Sequence, residues 1–178
     1  MTLETMDFAA LRARLEDAPG VIEALLGALP AAGLHFRDEP GSWTPFEVLC
    51  HVTDAEEHNW IPRVRSFVEG DGSGGLPPFD REAGLRRYAE VPIDKLIAEF
   101  ARRRRESLAA FDALALQPAD FARQARHPEL GTVTLGQLIA TWVTHDHAHA
   151  AQICRALVRC YGAGAGPWQA FFRYLREG

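Results

Sequence analysis

Apolar residues along this chain recur at alternating spacings of three and four, the period of a helix that buries one face. Phe8, Leu11, Leu15, Ala18, Ile22, Leu25 and Leu29 predict a first helix over 8–29. Pro19-Gly20 interrupts it, but the apolar register continues across the break, which predicts a kink rather than a turn between two helices. Thr44-Pro45-Phe46-Glu47 places a hydroxyl N-cap, a proline at the first helical position and a glutamate at the third, so a second helix starts there. Val48, His51, Ala55 and His58 fall on one seam of it, with Phe46, Leu49, Trp60, Val64 and Phe67 alongside; it runs to about Glu69, kinked or shortened at Pro62. Pro92 opens a third helix, in which Ile93, Ile97, Phe100, Arg104, Phe111 and Leu114 keep register. Thr134 and Gln137 form the capping box of a fourth, whose inward seam is Leu135, Leu138, Trp142, His145, His149, Gln152 and Ala156, ending near Gly162. No stretch alternates at period two, so the predicted fold class is all-α, a four-helix bundle.

The connections have their own character. Residues 30–40 lack periodicity and carry His35, read as a solvated loop residue. Residues 70–91 open with four glycines in six positions and continue through Pro77-Pro78, predicting a flexible connection long enough to let the second and third helices run parallel. The glycines do not make a phosphate loop, because no strand precedes them and no lysine with serine or threonine follows at the required spacing. Residues 117–133, with His127-Pro128, read as another loop. A short C-terminal helix over Pro167 to Leu175 carries Trp168, Phe171, Phe172 and Tyr174, aromatics expected to pack on the bundle or on a partner.

Candidate chemistry concentrates in the fourth helix, where W-V-T-H-D-H-A-H-A-A-Q-I (142–153) places three of the seven histidines within five residues. Positions four apart share a helix face, so His145 and His149 project together into the core with Gln152 beside them, while His147 points away. A buried histidine needs a partner, and two on adjacent turns can chelate one divalent ion. His51, on the inward seam of the second helix, is the third candidate ligand. Asp54, one turn on, is a candidate catalytic base or an acceptor for the His51 ring; the alternative is a solvated aspartate. His58 lies about 10 Å along the axis from His51, too far to share an ion, and is assigned to the lining of a substrate pocket. Arg102 to Arg105 circle the helix and lie near Glu99 and Glu106, so they make no basic face; Arg104 alone points inward, towards a protein acceptor or a substrate carboxylate.

Composition narrows the classes. The 178 residues suit one domain, 1–178, large enough to bury a core without staples. A formal net charge of -5 gives no general attraction to phosphate backbones, so nucleic acid is not an expected partner. No apolar run approaches the ~20 residues needed to span a bilayer, and the first residues lack a basic start followed by an apolar core. Cys50, Cys154 and Cys160, an odd number without a C-x-x-C pair, are expected to be buried thiols of a cytoplasmic protein.

The first helix, W-T-P-F-E-V-L-C-H-V-T-D-A-E around His51, L-P-P-F-D at 76–80, and T-L-G-Q-L followed by H-D-H-A-H-A-A-Q-I together resemble the DinB superfamily over nearly the whole chain. The resemblance implies a histidine on the second helix plus H-x-x-x-H on the fourth, here His51, His145 and His149, around zinc, nickel or a similar divalent ion in an up-down-down-up bundle. It also implies dimers, and relatives that are transferases or isomerases using low-molecular-weight thiols. A homodimer acting on a small molecule, by thiol transfer or by hydrolysis, is therefore expected. The rival is a non-catalytic module that binds metal for stability or presents its surface to another protein. Three histidines leave coordination positions open where structural zinc sites are usually closed by four ligands, which favours catalysis. His145-Asp146-x-x-His149 only echoes the H-E-x-x-H zinc protease helix, and a di-iron bundle would need two E-x-x-H motifs that are absent.

Overall fold

The computed structural model describes residues 7–70 and 75–175. The helices, in chain order, are α1 (Phe8–Leu26), α2 (Ala31–Leu34), α3 (Pro45–Ala55), α4 (Ile61–Val68), α5 (Ala83–Arg87), α6 (Ile93–Ala113) and α7 (Leu135–Gly162). A π-helical turn, Glu56–Trp60, joins α3 to α4 into one long rod, and short 3-10 segments follow α6 and α7.

The caps are those the sequence advertises. Thr44 Oγ1 accepts from the Glu47 amide at 3.2 Å while Glu47 Oε2 accepts from the Thr44 amide at 2.7 Å; Thr134 and Gln137 repeat the exchange at 3.2 and 2.8 Å. Asp7 caps α1 by accepting from the amides of Ala9 and Ala10. α1 stops at Leu26 rather than Leu29, because Gly27 and Pro30 end it.

α1 is continuous through Pro19. Proline has no N–H, so the Leu15 carbonyl four residues earlier loses its helical donor. Arg104 Nη1 supplies the replacement at 2.6 Å.

Four rods pack as a bundle in which α1 and α3 each contact both α6 and α7. Their directions follow from the contacts. Arg12 meets Asp112 while Leu15 meets Arg104, so α1 and α6 are antiparallel. His51 meets His145 while Glu56 meets Trp142, so α3 and α7 are antiparallel. Val48 and Leu49 share a core cluster with Leu96 and Ile97, whereas Glu56 lies against Arg104 and Ser107, so α3 and α6 are parallel. The order is up, down, down, up.

Two parts of the chain differ from expectation. The segment read as a loop contains a hairpin, β1 (Gln124–His127) and β2 (Gly131–Thr134), antiparallel with Ala125 opposite Val133; four-residue strands are too short for a period-two signal. The connection read as a flexible linker is structured from Gly75 onward. The Leu76 amide donates to the Arg126 carbonyl at 2.9 Å, Leu76 and Tyr88 are buried, and α5 packs on α3. Gly84 permits that packing, since a Cβ there would overlap the Cys50 carbonyl. Much of the glycine run, residues 71–74, lies outside the described residues. The thiols also differ: Cys50 is buried, its pKa pushed up to about 12 chiefly by burial, but Cys154 is exposed on α7 and Cys160 is intermediate.

Candidate metal centre

α3 and α7 cross where each carries histidine on its inward seam, and the three rings meet nitrogen to nitrogen. His51 Nε2 lies 3.0 Å from His145 Nε2, which lies 3.2 Å from His149 Nε2. The outer nitrogens of two of the rings are held in place. His51 Nδ1 is 2.9 Å from the Arg81 carbonyl, and His149 Nδ1 is 3.0 Å from Gln152 Oε1. Both partners are acceptors, so each Nδ1 carries the proton and each Nε2 presents a bare lone pair. A single His145 N–H can satisfy one of these lone pairs at a time, whereas a divalent cation satisfies all three. The donor set therefore fits an ion. Among the described residues these three histidines form the group able to hold a metal.

Electrostatics point the same way. Burial pushes the His51 pKa down to about 4 and takes His145 and His149 below their ordinary values; the neighbouring imidazoles lower His145 further. All three are neutral ligands at neutral pH. Trp43 packs on His51 with ring centroids 4.7 Å apart, Phe79 at 5.7 Å, and Trp60 stands edge-on to His145 at 5.1 Å. His147 faces away, its Nδ1 2.8 Å from the Val143 carbonyl.

The trio opens into a cavity of about 440 Å³. Trp60, Phe79 and Leu138 supply apolar wall; Asn59, Arg63, Arg81 and His127 supply polar groups. His58 is not among its lining residues, which corrects the pocket assignment. The cause is the π turn: it inserts one extra residue into the rod, rotating everything after Ala55, so that Asn59 and Trp60 turn inward and His58 turns out. Pro62 explains the turn, because its ring would clash with the carbonyl four residues back in a regular α-helix.

Asp54 is corrected too. It is buried, but Arg87 Nη1 lies 3.2 Å from its Oδ1 and His58 Nδ1 3.5 Å, and the His51 ring is held by a backbone carbonyl instead. That makes Asp54 an anchor for α5 rather than a base at the histidines. Arg104 is not a substrate-binding group. It is 1% exposed, and its Nη atoms donate to Glu56, to both oxygens of Asp146 and to the Leu15 carbonyl. Burial works against its charge, but attraction from Glu56 and Asp146 outweighs it and keeps the guanidinium protonated. The same contacts remove Asp146 from any general-base role. Glu56 also accepts from Trp142 Nε1 at 3.1 Å, and its carbonyl accepts from Ser107, so the π turn is clamped to α6 and α7.

The sequence profile of the DinB superfamily matches residues 14–153. This chain belongs to the DinB superfamily. Curated relatives agree: a protein of Bacillus mycoides, 26% identical over 148 residues, and one of Oceanobacillus iheyensis, 25% identical over 142 residues, are both provisionally named metal-dependent hydrolases. Each alignment covers 78% of this chain and 79% of the relative. Among solved structures, YfiT of Bacillus subtilis, described as a "probable metal-dependent hydrolase with an unusual four-helix bundle topology", superposes with a TM-score of 0.74 at 21% identity, covering 86% of this chain and 87% of that one. At that identity the match establishes the fold. No helix among the described residues is long and apolar enough to cross a membrane.

Proposed function

We propose that this protein is a metal-dependent hydrolase of a small molecule, with His51, His145 and His149 holding one divalent ion, zinc or nickel. The observation that supports it most is the convergence of three Nε2 atoms at the edge of an open cavity. An ion held there would supply Lewis-acid chemistry, lowering the pKa of a water or a thiol. The chain's own groups do the rest. The Arg81 carbonyl and Gln152 fix the tautomers of His51 and His149, and so keep their ligand lone pairs aimed at one point. Trp60 and Phe79 keep the wall apolar, which strengthens every electrostatic contact inside. His127 accepts from the Glu129 and Leu130 amides at Nδ1, which leaves its Nε2–H to donate a hydrogen bond to a ligand in the cavity.

Three protein ligands rather than four support catalysis over a purely structural ion. The relatives' names favour water as nucleophile, and thiol transfer is the second version of the same site. The two separate in one experiment on cobalt-substituted protein: a panel of esters and amides is assayed for turnover, and a panel of low-molecular-weight thiols is titrated while the cobalt spectrum is followed. Ester or amide turnover without thiol, and no thiolate charge-transfer band, is the expected result. A charge-transfer band with product formed only in the presence of a thiol would replace hydrolysis by thiol transfer.

A further inference from the structure

Arginines in this protein are mostly spoken for. Arg86 pairs with Asp80, Arg87 with Asp54, Arg103 with Glu57 and Glu99, and Arg104 with Glu56 and Asp146. The two that line the cavity beside the histidines differ. Arg63 is half-buried in the rod of α3 and α4, and Nε and Nη2 donate to the Pro77 carbonyl at 3.3 and 3.2 Å, a neutral acceptor. Arg81 lies over the Trp43 ring at 5.7 Å. Neither pairs with a carboxylate among the described residues, although Asp80 and Glu82 flank Arg81 in sequence: Asp80 turns to Arg86. Glu129, the one carboxylate lining the cavity, stands exposed on the hairpin and pairs with neither.

A half-buried guanidinium whose only acceptor is neutral is costly, and burial lowers the Arg63 pKa. Arg63, half-buried with a neutral acceptor, and Arg81, exposed and stacked on Trp43, line the same cavity, and their planar forks of donors are matched by an oxyanion. We infer that the cavity binds a small anionic substrate, with Arg63 and Arg81 holding its carboxylate or phosphate group while the reacting end lies at the histidine trio. The inference rests on the metal-site reading and adds the substrate class to it. It also accounts for the composition of the wall: aromatic surface for the body of the ligand, and two cations for its anionic group.

The test uses three hydroxamates that share a metal-binding head and differ at the other end: succinic acid monohydroxamate, its terminal amide, and 3-phosphonopropionohydroxamate. Each is titrated calorimetrically into zinc-loaded parent, Arg63→Gln and Arg81→Gln protein, with zinc per chain measured alongside. One charge-assisted contact corresponds to about tenfold in affinity, so the carboxylate or phosphonate should bind at least about tenfold more tightly than the amide. Each arginine substitution should abolish most of that preference while zinc content stays at the parent level. The tighter of the two anions identifies the group recognised. Equal affinities for all three on zinc-loaded parent would overturn the inference alone, as would a charge preference that survives both substitutions. A parent that retains no zinc and binds no hydroxamate would overturn the metal reading, and the inference with it.

Discussion

At the scale of single residues, the histidine trio has a cost that pH should reveal. The His51 pKa falls from an ordinary 6.5 to about 4 on folding, mainly through burial, and His145 and His149 are lowered too. A histidine depressed in the folded state leaves the unfolded chain holding more protons between the two values. Stability of the metal-free protein is therefore complete above about pH 7 and is lost as pH falls towards 4, on the order of 3 kcal/mol from His51 alone. Urea midpoints of metal-free protein between pH 7.5 and 5 should fall steadily, and a flat profile would contradict the burial that sets these shifts. The ligands themselves were legible in sequence, since His145, His149 and Gln152 sit at the four- and three-residue spacings that put them on one face. Arg81 and Trp43 were not, because each reaches the site from a connection whose path no periodicity encodes. Asp54 was misread for a related reason: its true partner, Arg87, stands 33 positions on in the chain, on a five-residue helix inside the segment taken as linker.

At the scale of elements, the π turn and its clamp decide the shape of the cavity. Arg104, Glu56 and Asp146 form a buried group tied to α1 through the carbonyl that Pro19 frees. Removing the cation strands two buried carboxylates, which costs roughly 3–5 kcal/mol in such settings. Arg104→Met should lower stability by about that much in chemical unfolding, and a loss below about 1 kcal/mol would show that the clamp is dispensable. Gly84→Ala is a second case: the added Cβ overlaps the Cys50 carbonyl and the Asp54 side chain, so α5 must lift off α3. The expected loss is about 1–3 kcal/mol, read from the same unfolding curves, and an unchanged midpoint would refute the tight packing. The boundaries of the long helices were readable from caps and apolar spacing. The π turn was not: Pro62 signals a disturbance, but whether the helix kinks, stops or absorbs an extra residue depends on what Glu56 and Trp142 find across the bundle.

At the scale of the whole molecule, the fold unites residues 94 apart in the chain, since His51 reaches His145 only when α3 and α7 run antiparallel through one core. The surface carries a separate expectation. Trp168 and Phe171 are 69% and 75% exposed, with Phe172 and Tyr161 also uncovered, and a homodimer that covers them is the assembly we propose. Sedimentation equilibrium at tens of micromolar should give twice the 19.7 kDa chain mass; a single species of 19.7 kDa would remove the dimer. Metal per chain after dialysis, by elemental analysis of the parent and four single variants, tests the three-histidine centre. The parent should retain about one divalent ion, His51→Ala, His145→Ala and His149→Ala should each lose most of it, and His147→Ala, turned away on the far side of α7, should keep it. A site emptied by His147→Ala, or still full in His51→Ala, would contradict the assignment of the ion to these two helices.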